Sequence, residues 1–326
     1  MISSPNISTV RFVSPPRSNH ARQDRSLLHD QYRNLCRQEE LPQYSCKDYL
    51  SFADSIREKP VKGATSIEPI DVHCRVRMVE WCFQVVDFAK LHRETVSVAL
   101  SLLDRYLSSL SPHAKKVILS RKLYQLASMS ALFLAIKMCE KSVINASAFA
   151  DLSRGSYTAD DILEMESIIL KSLEWRVNGP TTHGFLCRIV QLTFEQNQES
   201  FVTKSSFKEL CNFQLDLSIG DYFFCTQRPS VTAVAAIVNA VENAKHFCTS
   251  ESAHFLKELS SISEIDTHSD EVQNAKNRLR ILLKTNGVDL EHSRQTTMGE
   301  SGTSPSCVSR LTHVVSDVSM SDVTQF

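Results

Sequence analysis

The chain has 326 residues, a formal net charge of -1 and a hydrophobic fraction of 42%. This length predicts two domains with tails, and the composition is ordinary for a globular protein with a sizeable core. Because 36 basic residues balance 37 acidic ones, charge gives no support for binding to nucleic acid or to an anionic membrane.

Both ends of the chain have compositions typical of disordered segments. Most of residues 1–44 are rich in Ser, Arg, Asn and Gln. Residues 286–326 are rich in Ser, Thr and Val with few large apolar side chains. Ser14 and Ser304 each precede a proline, so both are candidate sites of proline-directed phosphorylation. The N-terminus has no apolar run of the signal-peptide type, which predicts a protein of the nucleus and/or cytoplasm.

The ten cysteines form no CxxC pair and show no metal-ligand spacing. We therefore expect free thiols in a reducing compartment, with several buried as small hydrophobic residues. A disulfide scaffold or a zinc site is the less favoured interpretation. The sequence predicts no metal and no cofactor.

Between the two ends the sequence predicts helices joined by short turns. No glycine occurs between residues 64 and 154, and Pro112 is the single proline between residues 70 and 179. The apolar spacing predicts a short amphipathic helix within 45–59. It then predicts a first unit of five helices, at 70–91, 93–110, 121–141, 142–152 and 158–175.

The helix at 121–141 is apolar on every side, which is typical of a buried helix. It is too short and too polar to span a bilayer, which needs about 20 mostly apolar residues. Small side chains such as Ala127, Ser128 and Ala131 allow neighbouring helices to come close. We expect this helix to be the centre of the unit, with Lys137 at its C-terminal end, where the helix dipole favours a cation.

Two charged residues fall on or beside predicted apolar faces. Arg75 lies on the apolar face of 70–91, and Asp104 flanks the apolar face of 93–110. Because a buried charge is costly unless it is paired, we predict that they form an ion pair. Glu166 lies at the edge of the apolar face of 158–175, where it is partly shielded from solvent.

A second unit begins after Gly179-Pro180. Five further helices are predicted, at 182–196, 201–219, 229–244, 252–263 and 270–285. The stretch 231–241 is again rich in small residues and apolar nearly all round, which predicts a second central helix. The sequence therefore predicts an all-α fold with two tandem five-helix units, at 45–178 and 179–285.

The residues described above resemble the cyclin family. Residues 74–81 (CRVRMVEW) are similar to the motif that opens the first cyclin box, and 102–108, 132–137 and 162–166 resemble later segments of that box. The family's most characteristic positions correspond, in order, to Arg75, Asp104, Leu126, Lys137 and Glu166. The resemblance is strong over 45–178 and weaker over 180–284, and it implies two cyclin-fold units.

The resemblance implies a regulatory subunit, not itself an enzyme, that binds and allosterically activates a cyclin-dependent Ser/Thr protein kinase in cell-cycle control. It implies that Lys137 and Glu166 contact the mobile helix of the kinase small lobe, and that Arg75 and Asp104 form a buried structural pair. The physics of the residues alone leaves an alternative open: Lys137 and Glu166 pair with each other as a surface ion pair worth little. Neither nucleic acid nor membrane is an expected partner.

The resemblance also implies a groove in which kinase substrates or inhibitors dock. The positions that match in place or character are Met78, Trp81, Gln84, Arg121 and Gln125. Arg77 stands where the family commonly has isoleucine or leucine, and a charge there would spoil part of an apolar groove. Trp81 is equally accounted for as a core residue.

Two other classes of function remain as alternatives. Residues 160–164 (DDILE) superficially resemble an aspartate-rich motif that binds diphosphate through magnesium, but the sequence offers no second acidic cluster to complete such a site. A cyclin-fold transcription protein, as in transcription factor IIB, would bind nucleic acid through a basic surface. The sequence has no dense basic stripe and no N-terminal zinc ribbon. A cyclin-fold scaffold would have lost kinase binding, and the presence of Lys137 and Glu166 argues against it.

Overall fold

The computed structural model describes residues 17–58, 68–141, 144–194, 201–243 and 249–288. In these residues the chain forms thirteen α-helices and two short 3-10 helices, and no sheet strand occurs among them. The predicted all-α fold is confirmed. Among the described helices, none combines the length and apolar composition that crossing a bilayer requires.

The first part of the chain forms eight helices. They are α1 (Arg17–Glu39), α2 (Leu50–Glu58), α3 (Val72–Phe88), α4 (Glu94–Ser108), α5 (Pro112–Ile118), α6 (Arg121–Cys139), α7 (Ala146–Asp151) and α8 (Ala159–Ser172). The second part forms five more. They are α9 (Thr182–Phe194), α10 (Phe201–Gly220), α11 (Pro229–Asn243), α12 (Thr249–Ser263) and α13 (Asp270–Thr285), with a 3-10 helix at Tyr222–Thr226 between α10 and α11.

Helix α6 is the centre of the first unit, as its all-round apolar pattern predicts. Every side chain of residues 126–136 is buried, and α4, α5 and α8 pack around the helix. Its N-terminus is capped by the Ser120 hydroxyl, which accepts a hydrogen bond from the Leu123 amide at 3.3 Å. The Ser130 hydroxyl donates to the Ile162 carbonyl at 3.2 Å and thereby joins α6 to α8.

Helix α11 has the same position in the second unit. Its side chains are buried from Ser230 to Val241, and α9, α10, α12 and α13 pack around it. The buried amide of Asn239 donates to the Gln214 side chain at 3.0 Å and to the Lys276 carbonyl at 3.1 Å. Because these bonds satisfy a polar group inside the core, they fix α11 against α10 and α13.

Helix α1 corrects the prediction of disorder over 1–44, because residues 17–39 are helical. The Tyr32 ring is 3% exposed, packs edge-on against Phe185 at 5.8 Å, and donates its hydroxyl to the Ser263 carbonyl at 2.8 Å. The Glu39 carboxylate caps α11 by accepting hydrogen bonds from the Ser230 amide at 2.7 Å and hydroxyl at 2.5 Å. The helix is therefore stabilised by contacts with the second unit rather than by its own polar composition.

Helix α5 is an element that the sequence did not predict, so the first unit has one short helix more than the five expected. In the sequence Pro112 falls between two predicted helices, as a turn residue would, but proline is also well suited to the first position of a helix. The Ser111 hydroxyl caps α5 by accepting a hydrogen bond from the Ala114 amide at 3.2 Å. Val117 and Ile118 are fully buried, so α5 contributes to the core beside α6.

Arg75 and Asp104 lie together, 3% and 5% exposed, at the junction of the two units. Arg75 Nη2 is 2.7 Å from Asp104 Oδ2, and Arg75 Nε donates to Oδ1 at 3.3 Å. The remaining Arg75 amino group, Nη1, donates to the Ile219 carbonyl of α10 at 2.5 Å. The Tyr49 hydroxyl donates to Asp104 Oδ1 at 2.8 Å. This buried pair therefore connects α3, α4, the start of α2 and the second unit.

Replacing Arg75 by methionine leaves the Asp104 carboxylate buried without its cation. We expect the free energy of unfolding to fall by roughly 3–5 kcal/mol, measured by urea denaturation. The control is Arg33→Met, because the Arg33–Asp30 pair at 4.0 Å is exposed on α1. That variant should change stability by less than about 1 kcal/mol. Small effects of equal size in both variants would contradict the structural role assigned to Arg75.

Candidate functional site

Lys137 and Glu166 meet where the last turn of α6 crosses the middle of α8. Lys137 Nζ is 2.5 Å from Glu166 Oε1 and 5.0 Å from the centroid of the Phe133 ring. The two side chains differ in exposure: Lys137 is 42% exposed, whereas Glu166 is 6% exposed. The pair therefore presents an ammonium group to solvent above a shielded carboxylate.

Hydrogen bonds at the start of α8 and at the end of α6 hold the two helices that carry this pair. Helix α8 begins with a capping box, in which the Thr158 hydroxyl accepts from the Asp161 amide at 3.2 Å and Asp161 Oδ2 accepts from the Thr158 amide at 2.8 Å. Asp161 thus has a structural role, which weakens the alternative of a magnesium-diphosphate motif at 160–164. No three His, Cys, Asp or Glu side chains converge as metal ligands in the residues that the structure describes.

Glu140 fixes the end of α6 to the start of α4. Its carboxylate accepts hydrogen bonds from the His92 amide at 2.9 Å and the Thr95 hydroxyl at 2.5 Å, and it contacts the His92 ring at 3.0 Å. Burial alone would raise the pKa of Glu140, but these bonds hold that pKa below its usual range. Lys137, one turn earlier, is therefore supported by a rigid helix end.

Exposed apolar side chains accompany the ion pair on α8. Leu163 and Glu166 are three residues apart on one face of the helix, and Leu163 is 43% exposed. Beyond the end of the helix, Trp175 is 69% exposed and has a positive φ of 60°. Left-handed backbone is unfavourable for a bulky residue. The bond from Arg105 Nη2 to the Arg176 carbonyl, at 2.7 Å, holds the chain directly after it.

Trp175 is an exposed residue close after α8 that the sequence analysis does not single out, because there it only marks the end of the predicted helix at 158–175. The available signal was a large aromatic residue two positions after Leu173, the last member of the apolar stripe of 158–175. Exposed tryptophan is unusual on a surface without a partner and is common at the centre of protein interfaces.

The predicted docking residues are divided between core and surface. Met78 and Trp81 are 1% and 4% exposed, and the Trp81 ring packs edge-on against Phe149 at 6.4 Å. Gln125 accepts a hydrogen bond from the Tyr157 hydroxyl at 3.0 Å. Gln84 and Arg121 are partly buried. The Gln84 side-chain oxygen is shielded from solvent and has no hydrogen-bond partner among the described residues. Arg121 Nη2 lies 3.6 Å from Asp71 Oδ2. Mainly polar groups are therefore left at this face.

Some residues singled out by the sequence analysis lie outside the described residues. Ser14 and Ser304, the candidate phosphorylation sites, are among them, as are residues 289–326 of the C-terminal tail. The candidate site itself lies within the described residues, on α6, α8 and the residues that follow α8.

Comparison with solved structures shows a similar fold in a viral cyclin from herpesvirus saimiri. The match has a TM-score of 0.51 and 18% sequence identity, and it covers 72% of this chain and 97% of that one. This likeness supports the interpretation of both units as cyclin folds.

Comparison with curated proteins finds mitotic-type relatives from plants. The chain is 30% identical over 199 residues to Cyclin-B2-2 of Arabidopsis thaliana, covering 61% of this chain and 41% of that protein. It is 31% identical over 185 residues to G2/mitotic-specific cyclin-2 of Medicago sativa, covering 55% of this chain and 52% of that protein. The chain therefore spans about half the length of these relatives.

Two family models match adjacent parts of the chain. The model of the cyclin N-terminal domain matches residues 37–178, and the model of the cyclin C-terminal domain matches residues 180–286. The first range contains the Lys137–Glu166 pair and the buried Arg75–Asp104 pair, and the second contains the unit built around α11. The chain belongs to the cyclin family.

Proposed function

We propose that this chain is the regulatory subunit of a cyclin-dependent Ser/Thr protein kinase, which it binds and activates allosterically in cell-cycle control. The observation that carries the proposal is the Lys137–Glu166 pair, with an exposed leucine, Leu163, one turn from Glu166 on α8 and an exposed tryptophan, Trp175, after the end of that helix. In this proposal the chain performs no chemistry of its own. It supplies a rigid surface, and the kinase supplies the catalytic residues.

The pairing of Lys137 with Glu166 is compatible with a role in binding. An ammonium group has three N–H donors, and the bond to Glu166 uses one of them. Since Lys137 is 42% exposed, it can donate to a carbonyl of a partner while it stays beside Glu166. Charge-assisted hydrogen bonds of this kind are stronger than neutral ones. The internal pair therefore pre-orients the lysine, which lowers the entropy cost of binding.

The apolar side chains supply contact area around these polar bonds. Trp175 and Leu163 are exposed in the free chain, and burying them against a partner helix would be favourable. Packing of this surface against the mobile helix of the kinase small lobe would push that helix inward. The kinase could then form its own lysine–glutamate ion pair and hold ATP phosphates productively.

The first test exchanges the charge at position 166. Tagged wild type and Glu166→Lys are used to capture proteins from the native cells, and the kinase is identified by mass spectrometry and assayed for phosphotransfer. We expect active kinase with wild type and at least about tenfold less with Glu166→Lys, because two ammonium groups of this chain then repel each other and Lys137 is no longer held in place. Glu164→Lys is the matched control, since Glu164 is exposed on the same helix.

A double variant separates folding from binding in this test. Lys137→Glu combined with Glu166→Lys restores an internal ion pair with its direction reversed. We expect this variant to regain the wild-type circular dichroism and melting temperature but not the kinase. Failure of wild type to capture any kinase would overturn the proposed function, and full capture by Glu166→Lys would overturn the role of Glu166.

The second test removes the exposed tryptophan. Because Trp175 is 69% exposed, Trp175→Ala should change the free energy of unfolding by less than about 0.5 kcal/mol. Its affinity for the captured kinase, measured by calorimetry, should fall roughly tenfold or more, as expected for an interface hot spot. Phe88→Ala is the control, since Phe88 is an exposed aromatic residue at the end of α3. Equal losses in both variants would contradict a specific role for Trp175.

A further inference from the structure

Two cysteines meet at the junction of the two units. Cys46 lies in the segment before α2, and Cys225 lies in the 3-10 helix Tyr222–Thr226 of the second unit. A side-chain hydrogen bond with Cys46 raises the pKa of the Cys225 thiol, which places the two thiols side by side. Both line a cavity of about 140 Å³ between the units, which the Arg75–Asp104 pair also borders. Two free thiols that are far apart in the sequence are therefore close together in the fold.

Neighbouring residues hold the two segments in place. The Tyr222 hydroxyl accepts hydrogen bonds from the amides of Tyr49 and Leu50, both at 3.1 Å, and donates to Asp48 Oδ1 at 2.9 Å. The rings of Tyr49 and Tyr222 pack edge-on at 5.3 Å. Tyr49 and Tyr222 are each three residues from one of the two cysteines, so the thiol contact is part of an ordered interface.

A buried cation lies beside Cys46. The Arg105 guanidinium is 5% exposed and interacts electrostatically with the Cys46 side chain. Arg105 Nε donates to the Gln43 carbonyl at 3.2 Å, whereas Nη1 is buried and has no hydrogen-bond partner among the described residues. Arg105 therefore places a buried positive charge near the Cys46 sulfur.

We propose that Cys46 and Cys225 form a reversible disulfide when the protein meets hydrogen peroxide. The Cys46 thiolate attacks one peroxide oxygen, an S–O bond forms as the O–O bond breaks, and the departing hydroxide takes up a proton to become water. The Cys225 sulfur then attacks the Cys46 sulfenic acid. The S–S bond forms as the S–O bond breaks, and the Cys225 proton leaves with the hydroxide as a second water.

The surroundings give the two thiols different roles. The contact with Cys46, together with burial, raises the pKa of the Cys225 thiol, so Cys225 is the slower thiol to react with peroxide and acts as the resolving one. Cys82, by contrast, is a buried core cysteine whose pKa is raised by burial to about 12. The disulfide would close the chain between positions 46 and 225 and covalently join the two units. This inference does not depend on the proposed kinase partner.

The test uses peroxide oxidation of the full chain, followed by alkylation, digestion without reductant and mass spectrometry. We expect a linked Cys46–Cys225 peptide and a melting temperature raised by roughly 5 °C, both reversed by dithiothreitol. In Cys225→Ser, Cys46 should stop at the sulfenic acid and be trapped by dimedone. Cys139→Ser is the control, because Cys139 is an exposed cysteine on α6 and its loss should leave the linked peptide unchanged.

Two results would overturn the inference. One is oxidation of other cysteines at peroxide concentrations that leave Cys46 and Cys225 reduced. The other is a Cys46–Cys225 peptide that appears only when urea is present, because the bond would then form in the unfolded chain. Both measurements read the thiols themselves, so they remain informative even if no kinase is bound.

Discussion

The placement of the two units depends on one buried ion pair, Arg75 with Asp104. Removing two charges from water is costly, and the cost is offset only when their hydrogen-bonding groups are satisfied. Here the Tyr49 hydroxyl donates a hydrogen bond to the Asp104 carboxylate, and the Ile219 carbonyl accepts one from the Arg75 guanidinium. Because Ile219 belongs to the second unit, the pair satisfies its own bonding only when that unit is docked. The pair therefore couples the packing of the first unit to the docking of the second.

The polar groups of the candidate site are likewise held by rigid helices. Helix α6 is buried on all sides as far as Ile136, and Glu140 ties the partly exposed last turn to the start of α4. Lys137 projects from this turn onto α8, which is itself joined to α6 through Ser130. A binding surface on such a frame loses little conformational freedom when it meets a partner.

Periodicity predicted the helices of both units except the short α5, and it identified α6 and α11 as central because their side chains are apolar nearly all round. It was insufficient for α1, whose polar sequence is held by single contacts such as that of Tyr32 with the second unit. At the site, the sequence left open whether Lys137 pairs with Glu166 or with a partner, since the number of available donors depends on three-dimensional exposure. For Trp175 the sequence offered only its place beyond the apolar stripe of 158–175, since its exposure depends on the course of the backbone after α8.

The most direct test of the account is amide hydrogen exchange of the full chain, alone and bound to the kinase that it captures. The account predicts slower exchange in the bound state within α8 and residues 173–177, with α11 and α13 of the second unit unchanged. Slower exchange confined to the second unit, with α8 unaffected, would contradict the assignment of the Lys137–Glu166 surface as the binding site.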